Sequence, residues 1–278
     1  MGDVLSLTKS LKLRQGNRGL QQALYLCSKE LFGLDRAEFN KRWRPKVDSD
    51  KGTLRGYMQP TAEALFSEWK TRRDPDWLYS HEEYKWDSIG VSVCQTHATT
   101  ASGISLLKKA GIKPKKIFDW GAGPGFSTFM LAANFPDAEV HYNECNPDLI
   151  QVFEWFKKHA KIKNVKHVEQ AEEGYDLFQA YEIVEHIKHE KHFGVGDPIT
   201  VTEKMLEPMA PGTHFLHSSC WSAENRYFTL GHFLNYKIDG EICKNTRVGS
   251  HFRRAMKKRG WNEMGTGWNS RPNLYVKG

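Results

Sequence analysis

Long apolar runs are absent from this 278-residue chain, and none approaches the roughly 18 residues that a membrane-spanning helix requires. The cysteines form no C-x-x-C pair and are odd in number, which argues against a disulfide framework and against a structural zinc site. The first thirty residues lack the continuous apolar core of a secretion signal. We therefore expect a globular protein of a reducing, cytoplasmic compartment with no membrane partner.

Positive charge is concentrated in the first part of the chain. Residues 1–116 carry 21 Lys and Arg against 13 Asp and Glu, a net charge of +8. Residues 117–278 carry 19 against 20, a net charge of −1. This excess would suit an acidic partner such as RNA, but it would equally suit solvated helical faces. No arginine-rich run or RNA-binding aromatic signature accompanies it, which favours the solvated faces.

The apolar pattern changes near residue 116. Before it, helical spacing predicts helices over residues 19–32, Thr61–Lys70 and Thr99–Ala110. After it, short apolar strands alternate with helical stretches, as in sheets that are built from βαβ units. The predicted strands are Lys116–Asp119, Glu139–Asn143, Val165–Glu169, Tyr175–Ala180, Thr213–His217, Trp261–Thr266 and Leu274–Val276. The sequence therefore predicts an α/β fold behind a helical N-terminal segment.

A glycine-rich turn joins the first of these strands to a helix, in the segment Ile117-Phe118-Asp119-Trp120-Gly121-Ala122-Gly123-Pro124-Gly125. Glycines at such a junction let the backbone turn sharply and approach a ligand closely. The spacing is G-x-G-x-G, which differs from the dinucleotide fingerprint, and the Lys-Ser/Thr ending of a phosphate loop is missing. Asp119 at the strand end would repel a pyrophosphate and favour a cationic amine or sulfonium.

A second acidic residue, Glu144, ends the second strand nineteen residues after Gly125. A carboxylate in that position can accept hydrogen bonds from both hydroxyls of a ribose. Together with Asp119, it indicates a nucleoside ligand that carries a positive charge.

This D-x-G-x-G-x-G segment, followed by an acidic residue at the end of strand two, resembles the class I S-adenosylmethionine-dependent methyltransferases from Ile117 to the C-terminus. The resemblance implies a Rossmann-like, seven-stranded, mostly parallel sheet in residues 101–278, with residues 1–100 as a helical extension that could form a substrate lid. It implies S-adenosylmethionine as the cofactor, with the glycine loop against its methionine part, the strand-two acid on its ribose and residues closing strand three near its adenine. Glu169, Gln170 and Glu172 compete for that last position. The cofactor-binding residues it implies are Asp119, Gly121, Ala122, Gly123, Gly125, Glu144, Gln170 and Tyr181.

After strand four, Glu182-Ile183-Val184-Glu185-His186 resembles the E-x-x-E-H segment of the branch that contains ubiquinone-biosynthesis O-methyltransferases. His186 is the candidate catalytic base, because a histidine titrates near neutral pH and this one would follow the carboxyl end of a strand. A structural histidine is the alternative. Glu182, Glu185 and His186 could instead bind a divalent metal, completed by His217 or His232. Many relatives with this segment contain no metal, so we expect no metal ligands.

These observations predict methyl transfer to an oxygen or nitrogen of a small-molecule acceptor. The alternatives are an RNA-directed methyltransferase that uses the basic N-terminal part, and a catalytically silent cofactor-binding or interaction module. The tetrapeptide of amino-methylating DNA enzymes and the Pro-Cys nucleophile of cytosine-C5 enzymes are both missing. Four aromatic residues could either line an acceptor pocket or pack in the core: Trp77, Tyr79, Tyr84 and Trp86.

Overall fold

The computed structural model describes residues 18–42, 46–47, 54–55, 65, 68, 71–72, 74–191, 194–219, 233, 235–244, 247–267 and 272–278. Most of the predicted helix Thr61–Lys70 lies outside these residues, and so does His232. None of the helices described is both long enough and apolar enough to cross a membrane.

Helices flank a central sheet throughout the described chain. The α-helices are α1 (Arg18–Phe32), α2 (Arg36–Arg42), α3 (Pro75–Ser80), α4 (Tyr84–Val91), α5 (His97–Lys109), α6 (Phe126–Asn134), α7 (Pro147–Ala160), α8 (Pro198–Leu206) and α9 (Val248–Lys258). A π-helical turn, Ser92–Thr96, joins α4 to α5, and a 3₁₀ turn covers Val184–His186. The strands are β1 (Lys46–Val47), β2 (Leu54–Arg55), β3 (Lys116–Trp120), β4 (Glu139–Tyr142), β5 (Val165–His167), β6 (Leu177–Tyr181), β7 (Val195–Gly196), β8 (His214–Ser218), β9 (Asn235–Ile238), β10 (Glu241–Lys244), β11 (Trp261–Thr266) and β12 (Asn273–Lys277).

The central sheet has seven strands in the order β11-β12-β8-β6-β3-β4-β5. Only β12 runs against its neighbours β8 and β11, and the other neighbouring pairs are parallel. The predicted mostly parallel, Rossmann-like sheet is therefore confirmed. A smaller sheet of order β10-β9-β7, which the apolar pattern did not predict, packs beside it.

The strand order reverses at β3, because the chain continues to β4 on one side and returns to β6 on the other. Ligands of open α/β sheets bind at such a switch point, in the crevice outside the carboxyl ends of the strands. The register aligns these ends, since Asp119 pairs with Tyr142 of β4 and with Gln179 of β6. The topology thus places the end of β3 at the centre of the expected binding edge.

The N-terminal helices share one apolar core with one face of the sheet. Leu24 of α1 and Ile89 of α4 are each 2% exposed, and they belong to the same buried cluster as Ile117 of β3. Polar contacts reinforce this packing: the Trp155 indole N–H donates to Glu30 over 2.9 Å, and Lys85 forms an ion pair with Asp148 over 2.6 Å. The predicted boundary near residue 100 falls inside α5, and residues of α3 and α4 lie at the carboxyl edge of the sheet.

Helix α7 shows how the local sequence fixes the elements around the site. Asn146 caps its start by accepting hydrogen bonds from the N–H groups of Asp148 and Leu149, and Pro147 occupies the first turn. Lys161 takes a left-handed conformation just after its end. The cap lies two residues after Glu144 and so anchors the chain that follows β4 beside the binding edge.

Candidate cofactor site

A cavity of about 570 Å³ opens at the carboxyl ends of β3, β4, β5 and β6. Residues of the glycine turn after β3 line it, together with residues of α3, α4 and the π-helical turn. The cavity coincides with the switch point of the sheet, which makes it the candidate ligand site of this fold.

Three positions of the glycine turn have a left-handed backbone conformation that favours glycine. Gly121, Gly123 and Gly125 have φ values of +58°, +57° and +82°, a region that other residues rarely adopt. A Cβ on Gly121 would lie 2.3 Å from Ile183, and a Cβ on Gly125 would lie 2.4 Å from Phe153. Gly121, Ala122 and Gly123 line the cavity, whereas Gly125, which caps the start of α6, does not.

Glu144 is held against this loop. Its Oε2 accepts a hydrogen bond from the Gly123 N–H over 2.9 Å, and its Oε1 accepts from the N–H groups of Cys145 and Asn146 over 2.8 and 3.0 Å. The Tyr142 hydroxyl donates to the Gly123 carbonyl over 2.6 Å. The structure thus brings together the two features that the sequence analysis paired. Three of the roughly four acceptor sites of the carboxylate are used, and Oε2 keeps one.

Asp119 lies beneath the loop and is only 1% exposed. Its carboxylate accepts hydrogen bonds of 2.7 Å each from the Ser127 and Thr128 hydroxyls of α6 and from the Gln179 amide of β6. Burial raises its pKa, and these three hydrogen bonds act in the opposite direction. The carboxylate therefore ties β3 to α6 and β6, and it places negative charge near the N-terminus of α6, where the helix dipole favours it.

We expect Asp119→Ala to lower the free energy of unfolding by about 2 kcal/mol, because it leaves three buried donors without their acceptor. Urea denaturation of this variant and of Asp137→Ala, which removes an exposed carboxylate, measures the difference. Equal midpoints for the two variants would show that the hydrogen bonds of Asp119 contribute nothing to stability.

The structure does not bring Gln170 to the cavity. Its side chain is exposed and is not among the lining residues, whereas His167 and Glu169 line the cavity beside β5. Of the three residues that compete for the position after strand three, Glu169 lines the cavity and Gln170 does not. Strand β5 ends at His167, two residues before the end of the predicted strand. Tyr181 does line the cavity, and burial raises its pKa well above the ordinary value.

His186 lies on the cavity wall in the 3₁₀ turn after β6. Its ring is 5.6 Å from that of Tyr79, which in turn contacts Tyr84 edge-on at 5.0 Å. Desolvation lowers the pKa of His186 to about 3, so the expectation that this histidine titrates near neutral pH is wrong. The imidazole is neutral at physiological pH and is a weak base there.

Two of the four aromatic candidates reach the cavity. Tyr79 and Tyr84 line it, and burial raises the pKa of each hydroxyl well above its ordinary value. Trp86 is a core residue at 5% exposure. Trp77 packs instead against Arg72 and His81.

Carboxyl groups dominate the charge of the cavity. Among the described lining residues, six are acidic and none is Lys or Arg; the six are Asp87, Asp119, Glu144, Glu169, Glu182 and Glu185. The Glu182 carboxylate accepts from the Ser218 hydroxyl over 2.8 Å. No group of three or more His, Cys, Asp or Glu side chains in the described part of the chain is arranged to hold a metal ion. Such a lining attracts a cationic ligand and repels an anionic one.

The sequence analysis did not predict the lining residues that α4 and the π-helical turn contribute. Asp87, Ser88, Ser92 and Thr96 line the cavity from α4 and the π-helical turn. Three of them recur every four residues, a spacing that puts hydroxyl groups on one helical face. This four-residue spacing of hydroxyl side chains was the sequence signal that could have predicted them. The π-helical turn that follows α4 is of a kind often found at functional sites.

Known structures share this fold. The structure of PigF with SAH has a TM-score of 0.51 at 16% identity, over 77% of this chain and 69% of that chain. The plantazolicin methyltransferase BpumL, in complex with a monoazolic desmethylPZN analog and SAH, has a TM-score of 0.47 at 13% identity, over 72% of this chain and 81% of that one. An O-methyltransferase family protein from Burkholderia thailandensis has a TM-score of 0.45 at 10% identity, over 94% of this chain and 83% of that one.

The chain has a Rossmann-like fold. No protein-family model and no curated protein matches it. At 16% identity, the similarity to the PigF structure is one of fold alone.

Proposed function

We propose that this chain is an S-adenosylmethionine-dependent methyltransferase that methylates an oxygen or nitrogen of a small-molecule acceptor. The observation that carries the proposal is the pairing of Glu144 with the glycine turn at the switch point of the sheet. A nucleoside at this edge would meet a carboxylate suited to its ribose hydroxyls and a backbone that no Cβ obstructs.

The residues present fit a cationic nucleoside cofactor. Six acidic side chains line the cavity, and the described lining contains no Lys or Arg that would bind a phosphate. Bound S-adenosylmethionine would supply a methyl group that its sulfonium already activates. Glu144 would hold the ribose, His167 and Glu169 would lie nearest the adenine, and Asp119 would keep the glycine turn in place.

The chain's remaining task is to align an acceptor and to exclude water. Tyr79 and Tyr84 from the N-terminal helices line one side of the cavity, and the Tyr79 ring lies beside His186 in the turn after β6. We assign the described N-terminal helices to this covering role. Neutral His186 can accept a hydrogen bond from an acceptor hydroxyl or amine and so orient it.

We expect His186→Ala to lower turnover by about tenfold and to change the affinity for S-adenosylhomocysteine by less than about twofold, because the imidazole orients the acceptor and not the cofactor. Because the pKa of His186 is low, the imidazole is neutral at both pH 6 and pH 8, and the fall in turnover should be the same at the two values. Steady-state rates and calorimetry measure both quantities, with His251→Ala on α9 as the control. Normal turnover would make His186 a structural residue.

The activity itself is tested by incubating the full chain with methyl-tritiated S-adenosylmethionine and a cell extract, with and without a chelator. The label is then separated into small molecules, RNA, DNA and protein. Label in small molecules supports the proposal, and label in RNA would favour the RNA-directed alternative. Cofactor binding without transfer to any fraction would favour the silent module, and loss of label on chelation would revive the metal site.

The acidic lining of the cavity disfavours an acceptor that carries an anionic group. A nucleic-acid phosphate would have to approach several carboxylates within one enclosed site, and such contacts are repulsive. Basic side chains of residues 74–191 are partly neutralised, since Lys85 pairs with Asp148 and Lys116 pairs with Glu172.

A further inference from the structure

A polar helical face lies close against the glycine turn beside the cavity. A Cβ built on Gly123 would lie 3.1 Å from the Ser88 hydroxyl and 3.4 Å from the Ser92 hydroxyl. Both serines belong to the wall that α4 and the π-helical turn form, and Asp87 precedes the first of them. Whatever touches the second glycine of the turn therefore also touches this face.

Asp87 is the acidic member of this face. It is 8% exposed, so it is more than nine-tenths buried, and it lines the cavity. In the described part of the chain, no hydrogen bond or ion pair reaches its carboxyl group. The neighbouring cation on its own helix, Lys85, is already paired with Asp148 on α7. A buried carboxylate in this state is costly unless a ligand supplies the missing partner.

The described residues that line the cavity include no Lys or Arg. The titratable groups among them, besides Asp87, are Tyr79, Tyr84, Asp119, Glu144, Cys145, His167, Glu169, Tyr181, Glu182, Glu185 and His186. Desolvation holds the pKa of His186 low, so this imidazole is neutral at physiological pH. Within the described part of the chain, Asp87 therefore has no Lys or Arg partner in the cavity, and a cationic group of a ligand would supply one.

The other two carboxylates beside the glycine turn are already engaged. Asp119 accepts three side-chain hydrogen bonds, and Glu144 accepts three from backbone N–H groups. A primary ammonium has three N–H donors and can satisfy a bare carboxylate, whereas a sulfonium has none. We propose that Asp87 is the counter-ion of the ammonium group in the amino-acid part of the cofactor, flanked by the Ser88 and Ser92 hydroxyls.

This assignment rests on the proposed function, and it makes cofactor binding depend on pH. Burial raises the pKa of Asp87 to about 7, so the carboxyl is about half protonated at neutral pH without ligand. An ammonium favours the ionised form, so binding lowers this pKa and releases a proton. Affinity should therefore rise with pH, by about tenfold between pH 6 and pH 8.

The test is calorimetry of the full chain and of Asp87→Asn at pH 6 and pH 8, in buffers of different ionisation enthalpy. Two probes are compared: S-adenosylhomocysteine, which keeps the ammonium but has lost the sulfonium, and 5′-methylthioadenosine, which lacks the amino-acid part. Asn has the same shape as Asp and can still accept one hydrogen bond, so the fold should be retained. Asp137→Asn, which changes an exposed carboxylate, is the matched control.

We expect S-adenosylhomocysteine to bind the unmodified chain about tenfold more tightly at pH 8 than at pH 6, with release of a fraction of a proton at pH 7. Asp87→Asn should abolish this dependence and weaken binding about tenfold at pH 8. The affinity for 5′-methylthioadenosine should change less than about twofold with either pH or variant.

Three results would overturn the assignment: an unchanged pH dependence in Asp87→Asn, an equal loss for both probes, or reduced turnover with unchanged affinity, which would place Asp87 on the acceptor. If the unmodified chain binds neither probe nor S-adenosylmethionine, the proposed function fails and this assignment fails with it. That outcome is distinct from the other three.

Discussion

Replacement of Gly123 by leucine is expected to abolish cofactor binding, with a loss of affinity for S-adenosylhomocysteine of more than about 100-fold. The position has a φ of +57°, and its N–H donates to Glu144 over 2.9 Å. A leucine there would have to displace Ser88 and Ser92, because a Cβ alone would already lie 3.1 and 3.4 Å from their hydroxyls, and both serines line the cavity beside the loop. Calorimetry measures the affinity, and thermal unfolding shows whether the fold survives.

Backbone strain is the competing explanation, because a side chain at positive φ costs about 1–2 kcal/mol wherever it occurs. Gly111 separates the two effects. Its φ is +73°, and a Cβ there would meet nothing within 4 Å. Gly111→Leu should lower the stability by a similar amount and leave binding unchanged. Equal binding losses in the two variants, or normal binding by Gly123→Leu, would remove the glycine turn from the site.

The strands of the central sheet were predictable because their signals are local. Strand β11 (Trp261–Thr266) agrees with its predicted range, and helix α6 begins immediately after Gly125, as the glycine turn requires. The small sheet was not predicted, although part of it carried a recognisable signal. Asp239 and Gly240 join β9 to β10 with φ values of +52° and +87°, and Asp-Gly is a strong hairpin sequence.

The sequence could predict only those residues of the binding edge whose positions follow from the order of the strands. The carboxyl ends of neighbouring parallel strands meet at one edge, so the glycine turn and Glu144 had to lie close together once β3 and β4 were paired. Asp87 could not be found in this way. Its position depends on how α4 packs over the sheet, through contacts such as Lys85 with Asp148, 63 residues away.

The low pKa of His186 also could not be predicted from the sequence. Its motif fixes its place after β6, but the pKa depends on how many side chains surround the ring. The N-terminal helices bring Tyr79 next to it from more than 100 residues earlier in the chain. Burial of this kind is a property of the assembled fold, and it lowers the pKa of the imidazole so that the ring is neutral at physiological pH.

Glu144→Ala should weaken the binding of S-adenosylhomocysteine by about 1–3 kcal/mol, because the ribose hydroxyls and the Gly123 N–H would lose their acceptor. The carboxylate has two roles in the structure, since it also holds the glycine turn. A loss of affinity alone would therefore not show that Glu144 touches the ribose.

A pair of ligands separates these roles. The unmodified chain should bind adenosine more tightly than 2′,3′-dideoxyadenosine, whereas Glu144→Ala should bind the two with nearly equal affinity. If Glu144 only orders the loop, both ligands weaken together and the preference for hydroxyls persists, which would place the ribose elsewhere. Glu144→Gln keeps one carbonyl acceptor for the loop or the sugar, so we expect an intermediate preference. Glu169→Ala, at the far side of the same cavity, should leave the preference intact, because its carboxylate is assigned to the adenine end.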